Sequence, residues 1–322
     1  MSKFIMKIPA LLLTVSLLHG CDFGNIKSVT TTGELSITVD ENLEPLMKAE
    51  IKEFERLNPE AKIKMKTAPS KVVKADLING DTKFIVTARN FDEEEKAALE
   101  KNKIPVKEYP LAIDGIGFIV NPENPVRRVT SEDLRNIFTG EYKNWTDIKS
   151  AQDEEQNKEV KQFFKSTDSK IKLFIQRKNS STYDYVFDSI LKKTEYSSAA
   201  TVCSTSVQVL NSVRENKNAI GIINMNWLTT GNTDTIDSTV KPLRVSKILE
   251  NGRQLDFAEF HQGLIFNATY PYRRSVYVFT TEQDMKLATG FITFLISIDG
   301  QKVVLKNSIV PVSQPVRTIQ IN

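Results

Sequence analysis

The sequence predicts an α/β protein built as two lobes, and three observations carry that expectation. From residue 35 to residue 109, short β-type runs alternate with helical periodicities, the pattern of β-α units on a mostly parallel sheet. The same alternation resumes after an apolar strand at 113–120 and the breaker Asn121-Pro-Glu-Asn-Pro125. Late in the chain a single strand at 275–279 reads as the crossing back into the first lobe. The length of 322 residues suits two domains of ~100–200 residues each.

Residues 1–20 read as a segment outside the fold. Lys3 and Lys7 make a positive n-region, and the apolar run 8–18 is interrupted by Pro9 and Thr14. It is shorter than the ~20 residues a spanning helix needs and fits a signal peptide. Leu18-His19-Gly20-Cys21 resembles the bacterial lipoprotein cleavage box, with Cys21 as the acylated residue. Ordinary cleavage with Cys21 incidental is the alternative. Removing 1–20 takes away two lysines and no acid, so the formal charge falls from +3 to +1. With Cys21 acylated, Cys203 has no disulfide partner, and the fold must rest on its core. Residues 21–33 are polar and aperiodic, a tether.

The elements follow in order. Residues 35–39 alternate as a strand. Leu43, Met47, Ile51, Phe54 and Leu57 recur at helical spacing, with Pro45 in the first turn and Asn58-Pro59 as the stop. Ile63 and Met65 mark a strand, and Ser70 is placed to cap a helix carrying Val73 and Leu77 that ends at Asn79-Gly80. Residues 84–87 form a third strand, 92–101 a charged helix and 104–109 an extended run. The two glycines in the strand 113–120 weaken it or let another backbone approach, and the crossing into the second lobe is placed here. Thr130-Ser-Glu-Asp133 opens a helix through Leu134 and Phe138 that Gly140 closes. Residues 151–161 look like a charged surface excursion. A strand at 173–175, a helix to Lys193, a capped helix near 206–215 and a strand at 219–223 complete the second lobe. Leu287, Phe291, Phe294, Leu295 and Ile298 outline a helix that Asp299-Gly300 should end, before a short helix and Ile309-Val-Pro-Val.

Composition excludes several function classes. A charge of +3 without basic-aromatic clusters gives no nucleic-acid footprint. The mature chain has one histidine, His261, and no His/Cys grouping with metal spacing, no Gly-x-Ser-x-Gly and no P-loop. An enzyme is therefore disfavoured, and no cofactor is expected.

The chemistry the residues do offer sits at Lys172-Leu-Phe-Ile-Gln-Arg-Lys-Asn-Ser-Ser-Thr-Tyr183, read as strand, polar loop and helix start. Asn179, Ser180, Ser181 and Thr182 are small hydrogen-bonding residues at a helix N-terminus, where unpaired backbone N–H groups can hold an anion. Arg177 adds a charged fork suited to an oxyanion. On this stretch alone an ordinary βα turn capped by Ser or Thr is the favoured explanation. In open α/β sheets ligands bind beyond the strands' C-terminal ends, so the turns after Val39, near Ser70 and after Thr87 should share one face.

A family likeness runs through nearly all of the mature chain. Its most specific block is Asp114-Gly-Ile-Gly-Phe-Ile-Val-Asn-Pro-Glu-Asn-Pro125, followed by Leu134-Arg-Asn-Ile-Phe-Thr-Gly140 and Asn144-Trp145. Leu77-Ile-Asn-Gly80, Asn218-Ala-Ile-Gly-Ile222, Tyr270-Pro-Tyr-Arg-Arg274 and Phe294-Leu-Ile-Ser-Ile-Asp-Gly-Gln-Lys302 continue it in order. With these stretches the chain resembles the substrate-binding lipoproteins of phosphate ABC importers, of the type II periplasmic binding protein fold. The resemblance implies two lobes around a ligand cleft, divided as 34–117, 118–274 and 275–322, the last returning to lobe 1. It implies a phosphate-binding lipoprotein of the bacterial cell envelope, monomeric, anchored through Cys21, serving an ABC permease, with no chemistry of its own.

The ligand loops carry over residue by residue. The family's Arg-to-Thr loop looks like Arg177-Lys-Asn-Ser-Ser-Thr182, with Asn and Ser in place of its glycine-containing centre. Ser70 falls on a ligand serine, without the glycines that usually surround it. Arg89 falls on a Ser-Arg pair in which Ala88 replaces the serine, leaving Thr87 as a substitute. The first loop departs most: Val39-Asp-Glu-Asn-Leu-Glu-Pro45 places Asn42 at a threonine position, with Asp40 and Glu41 beside it. Asp40 is either the acceptor of the proton on monohydrogen phosphate or a plain helix cap. The wider alternatives are another oxyanion, a phosphorylated metabolite, or an interaction lipoprotein whose cleft holds no anion.

Overall fold

The computed structural model describes residues 30–148, 154–229 and 236–313. Residues 1–20, Cys21 and most of the tether lie outside them. Chain order begins with β1 (Gly33–Asp40), α1 (Glu44–Leu57), β2 (Ala61–Ala68), α2 (Ser70–Asn79), β3 (Phe84–Thr87) and α3 (Glu93–Lys101). The long strand β4 (Lys107–Val120) follows, then β5 (Arg128–Thr130), α4 (Ser131–Thr139) and α5 (Glu154–Phe163). Next come β6 (Lys172–Gln176), α6 (Ser181–Ser189), β7 (Thr201–Cys203), α7 (Ser206–Glu215) and β8 (Ala219–Asn224). The chain closes with β9 (Lys241–Pro242), β10 (Arg244–Ser246), α8 (Gln262–Phe266), β11 (Arg273–Thr280), α9 (Leu287–Ile296), α10 (Ile298–Lys306) and β12 (Val310–Pro311).

The main sheet has the order β2-β1-β3-β11-β4-β8-β6-β7, with β9 and β12 also on β4. β1 is parallel to β2 and β3, and β6 is parallel to β7 and β8. The expected mostly parallel first sheet is interrupted: β11 lies antiparallel between β3 and β4. That strand arrives from the far end of the chain, so local periodicity could not place it. β4 pairs with β11 over Lys107–Gly115 and with β8 from Ile116 to Val120, so one strand belongs to both lobes. Because β4 runs out of lobe 1 and β8 runs back antiparallel to it, the C-terminal ends of both parallel sets point at each other. That is where α/β sheets bind ligands.

Each lobe has its own core. In lobe 1, Phe54 of α1 meets Phe291 and Phe294 of α9 at ring-centroid distances of 5.1 and 5.3 Å. Burying such a ring contributes about 1.5–3 kcal/mol. In lobe 2, Trp145 is fully buried and its indole N–H donates to the Asn218 carbonyl at 3.0 Å. Cys203 is buried. The glycines of β4 are required by side chains rather than by backbone: a Cβ on Gly117 would lie 2.3 Å from the Phe260 ring, and one on Gly115 2.4 Å from Ile265.

Several expectations are corrected. α2 is preceded by Pro69 at the cap position, and Ser70 is its first residue rather than its cap. Residues 154–163 are a helix with Gln156 and Val160 buried, not a surface excursion; its remaining face is so charged that the apolar signal was diluted. α6 ends at Ser189, short of Lys193, and Lys192 and Lys193 turn back with positive φ. The helix expected to end at Asp299-Gly300 ends at Ile296; Ser297 caps α10, which leaves at a 63° bend and contains both residues. Gly300 fits there because α9's last carbonyls approach closely: a Cβ would lie 2.3 Å from the Phe294 oxygen.

Candidate functional site

The turns at the C-terminal ends of β1, β2 and β3 do share one face. Asp40, which ends β1, accepts from the backbone N–H of Asn42 at 3.1 Å and from its amide Nδ2 at 3.3 Å. Its other oxygen accepts from the Ala88 N–H at 3.4 Å, tying the first loop to the third. The Ser70 and Thr87 hydroxyls lie 3.0 Å apart. Asp40, Asn42, Ser70 and Thr87 are all fully buried. Asp40 also caps the 3-10 turn Glu41–Leu43, so the capping role is present whatever else this carboxylate does.

Lobe 2 contributes the start of α6. Ser180 is its cap, accepting from the Tyr183 N–H at 3.1 Å, and Ser181 and Thr182 form the first turn. All three are buried. Thr182 donates to Asn224 Oδ1 at 3.0 Å and accepts from Arg274 at 3.5 Å. Asn179 is half-buried and offers its backbone carbonyl, which accepts from the Lys71 N–H at 3.2 Å.

The two halves are joined across the cleft chiefly through Asn42. Its Nδ2 donates to the Ser181 hydroxyl at 3.1 Å, and Ser206 donates to its Oδ1 at 3.3 Å. The Asn42 carbonyl accepts from Asn226 Nδ2 and Trp227 Nε1, each at 3.0 Å. Both arginines assigned to the ligand are engaged by acids of the opposite lobe. Arg177 pairs with Glu41, and Arg89 pairs with Asp184 and, at 3.1 Å, with Asp92. Neither arginine is buried away from the cleft: 38% of the Arg177 side chain and 26% of the Arg89 side chain are exposed, and both cross-lobe pairs span the opening. Burial raises the Glu41 carboxyl, with Arg177 opposing, and burial raises Asp184 against the pull of Arg89.

Sequence reading missed the floor of the cleft. Asp114 of β4 and Arg274 of β11 are paired residues of the ladder at the point where β4 changes lobes, and their side chains form a buried ion pair at 3.2 Å. Asn224 donates to the same Asp114 oxygen, and one guanidinium nitrogen of Arg274, Nη1, is buried without a protein partner. Burial pushes the Asp114 carboxyl up, and Arg274 counters it. Both residues stood in stretches that carried the family likeness and were given no ligand role. Asn224, Asn226 and Trp227 had a readable signal, polar residues immediately after an apolar strand. His261 is exposed and caps α8, its Nδ1 accepting from the Gly263 N–H at 3.1 Å. Among the described residues no group of three or more His, Cys, Asp or Glu side chains is placed to hold a metal ion.

Comparison with known proteins agrees with this architecture. The family described as "PBP superfamily domain" matches residues 27–299. This chain belongs to the PBP superfamily. Among curated relatives, the phosphate-binding protein PstS of Pseudomonas aeruginosa is 24% identical over 298 residues, covering 88% of this chain and 85% of the relative. PstS of Staphylococcus aureus is 24% identical over 291 residues, covering 88% and 81%. A solved PBP-type structure from Clostridium perfringens, a putative phosphate ABC transporter substrate-binding protein with bound phosphate, superposes with a TM-score of 0.69 at 22% identity, over 87% of this chain and all of that one. An ABC-type phosphate transport receptor from Vibrio cholerae gives 0.61 at 21% identity, with the same coverage. These superpositions establish the two-lobe type II fold.

Proposed function

We propose that this chain is an extracytoplasmic phosphate-binding lipoprotein that delivers inorganic phosphate to the permease of an ABC importer. One observation carries the reading: the turn after β1 and the start of α2 touch the start of α6 across the two lobes, Asn42 on Ser181 and the Lys71 N–H on the Asn179 carbonyl, with buried hydroxyls on both sides. Such a site replaces the water around an oxyanion with fixed dipoles. The names of the curated relatives point to phosphate.

In this reading Ser70, Thr87, Ser180 and Ser181 donate to the phosphate oxygens through their hydroxyls and Thr182 through its backbone N–H, Asn42 does so by giving up its bond to Ser181, and Asn179 shapes the loop. Arg177 and Arg89 supply charge at the rim. Asp40 accepts the proton of monohydrogen phosphate, which sulfate lacks at neutral pH. Residues 34–117 and 275–322 form one lobe and 118–274 the other, moving about the shared strand. Acylated Cys21 holds the monomer to the membrane, and the 21–33 tether lets it reach the permease.

Titration calorimetry of residues 22–322, refolded to remove any carried phosphate, tests this. Micromolar or tighter binding of phosphate with no heat from sulfate is expected; silence with both refutes it. The acids on both arginines favour one specific alternative, a cleft that closes on itself and serves a protein partner. Closed lobes together with that silence would select it.

A further inference from the structure

The closed cleft already contains anions of its own. Glu41 follows Asp40 at the rim of lobe 1, and its two carboxylate oxygens engage Arg177 at Nη2 and, at 3.4 Å, at Nε. This is a two-point arrangement of the kind guanidinium groups use for carboxylate and phosphate alike. Arg89 holds Asp184, whose carboxylate also lies 3.8 Å from the Lys71 ammonium. The backbone bond from Lys71 to Asn179 runs beside these pairs. The lobes therefore meet with each ligand arginine neutralised by the other lobe.

An incoming oxyanion needs the same N–H groups. A guanidinium has five donors, but a dianion placed against Arg177 while Glu41 remains there sets like charges side by side in a poorly screened cleft. The carboxylate must swing away or the anion binds weakly. Of the two acids, Glu41 is the more committed: among the described residues its ion-pair partner is Arg177 alone, held at two points. Asp184 shares Arg89 with Asp92 and has Lys71 in reserve.

We propose that Glu41 is a built-in competitor for the ligand: it engages Arg177 at the two points an oxyanion would use, is exchanged for the bound oxyanion, and thereby sets how tightly the cleft holds that anion. This rests on the anion-binding reading above. Loading then becomes an exchange of one anion for another on the same arginine. The same pairs tie the lobes to each other, and the tie lowers the affinity for phosphate.

The test is Glu41→Gln in the 22–322 protein, with Glu41→Ala as a second variant and a melting curve for each. Phosphate affinity is read by calorimetry and lobe separation by small-angle scattering without ligand. Each variant should bind phosphate at least about tenfold more tightly than the parent, and the empty variants should scatter as more open particles. If the parent binds phosphate and the variants bind equally or more weakly, the competitor role is wrong and the transport reading survives. If no form binds phosphate, the anion reading fails and the inference with it.

Discussion

Asn42 is the single side chain that most directly joins the lobes, and replacing it with alanine separates closure from folding. The substitution removes two bonds across the cleft, to Ser181 at 3.1 Å and from Ser206 at 3.3 Å. It leaves the backbone carbonyl that receives Asn226 and Trp227. At ~0.5–1.5 kcal/mol per bond, closure weakens by about 1–3 kcal/mol, a roughly 5- to 150-fold shift toward open lobes. The chain carries its own reporter. Of its two tryptophans, Trp145 is sealed in the lobe 2 core, while Trp227 is half-buried and donates to Asn42 across the cleft. Opening exposes Trp227 and leaves Trp145 unchanged. Asn42→Ala without ligand should therefore show red-shifted emission and a larger radius of gyration, with an unchanged far-ultraviolet spectrum. Identical emission and an identical radius in parent and variant would refute the assignment of Asn42 as the closure residue.

Three further outcomes are expected. Asp40→Asn keeps a good helix cap but loses a pure acceptor, so preference for phosphate over sulfate should fall by about tenfold or more; paired titrations with the two anions check it. Glu50 is fully buried on α1 with both oxygens unpartnered, and burial raises its carboxyl well above 4.5. The fold thus favours the protonated form, and the benefit is complete below pH 4.5 and declines as pH rises toward the folded value. Glu50→Gln should therefore melt higher than the parent at pH 8 and no higher at pH 4, by scanning calorimetry. Arg274→Met strands the buried Asp114 charge at a cost of ~3–5 kcal/mol, and at ~2–4 °C per kcal/mol the melting point should drop by roughly 10 °C, with partial recovery in the Asp114→Asn/Arg274→Met double variant.

Much of the fold was legible because its signals are local. Pro45, the Thr130–Asp133 capping box and Gly140 placed α1 and α4 by backbone requirements that hold regardless of what packs nearby. The strands 84–87 and 219–223 showed as apolar runs because both faces are covered. What stayed hidden depends on partners far away in sequence. The insertion of β11 between β3 and β4, and the pairing of Asp114 with Arg274 across 160 residues, have no short-range trace. The candidate site divides the same way. Ser70, Thr87 and Ser180 to Thr182 could be read from helix starts and strand ends, and the Ser70 and Thr87 hydroxyls do lie together. Arg177 and Arg89 could be named, but their neutralisation by Glu41 and Asp184 could not, since each pair joins residues from opposite lobes.

The partner change within β4 bears on how this protein comes apart. One continuous strand of 14 residues serves both sheets, so neither lobe owns a complete sheet without it. A fragment ending before residue 116 would leave β3 and the first part of β4 without β11 between them, and one starting there would strip β11 of both neighbours. The lobes can twist relative to each other through that strand, yet melting either one frays the other's central ladder. A chain of two lobes joined in this way should then denature as one cooperative unit, and attempts to express its halves separately should yield aggregation-prone edges rather than two small proteins.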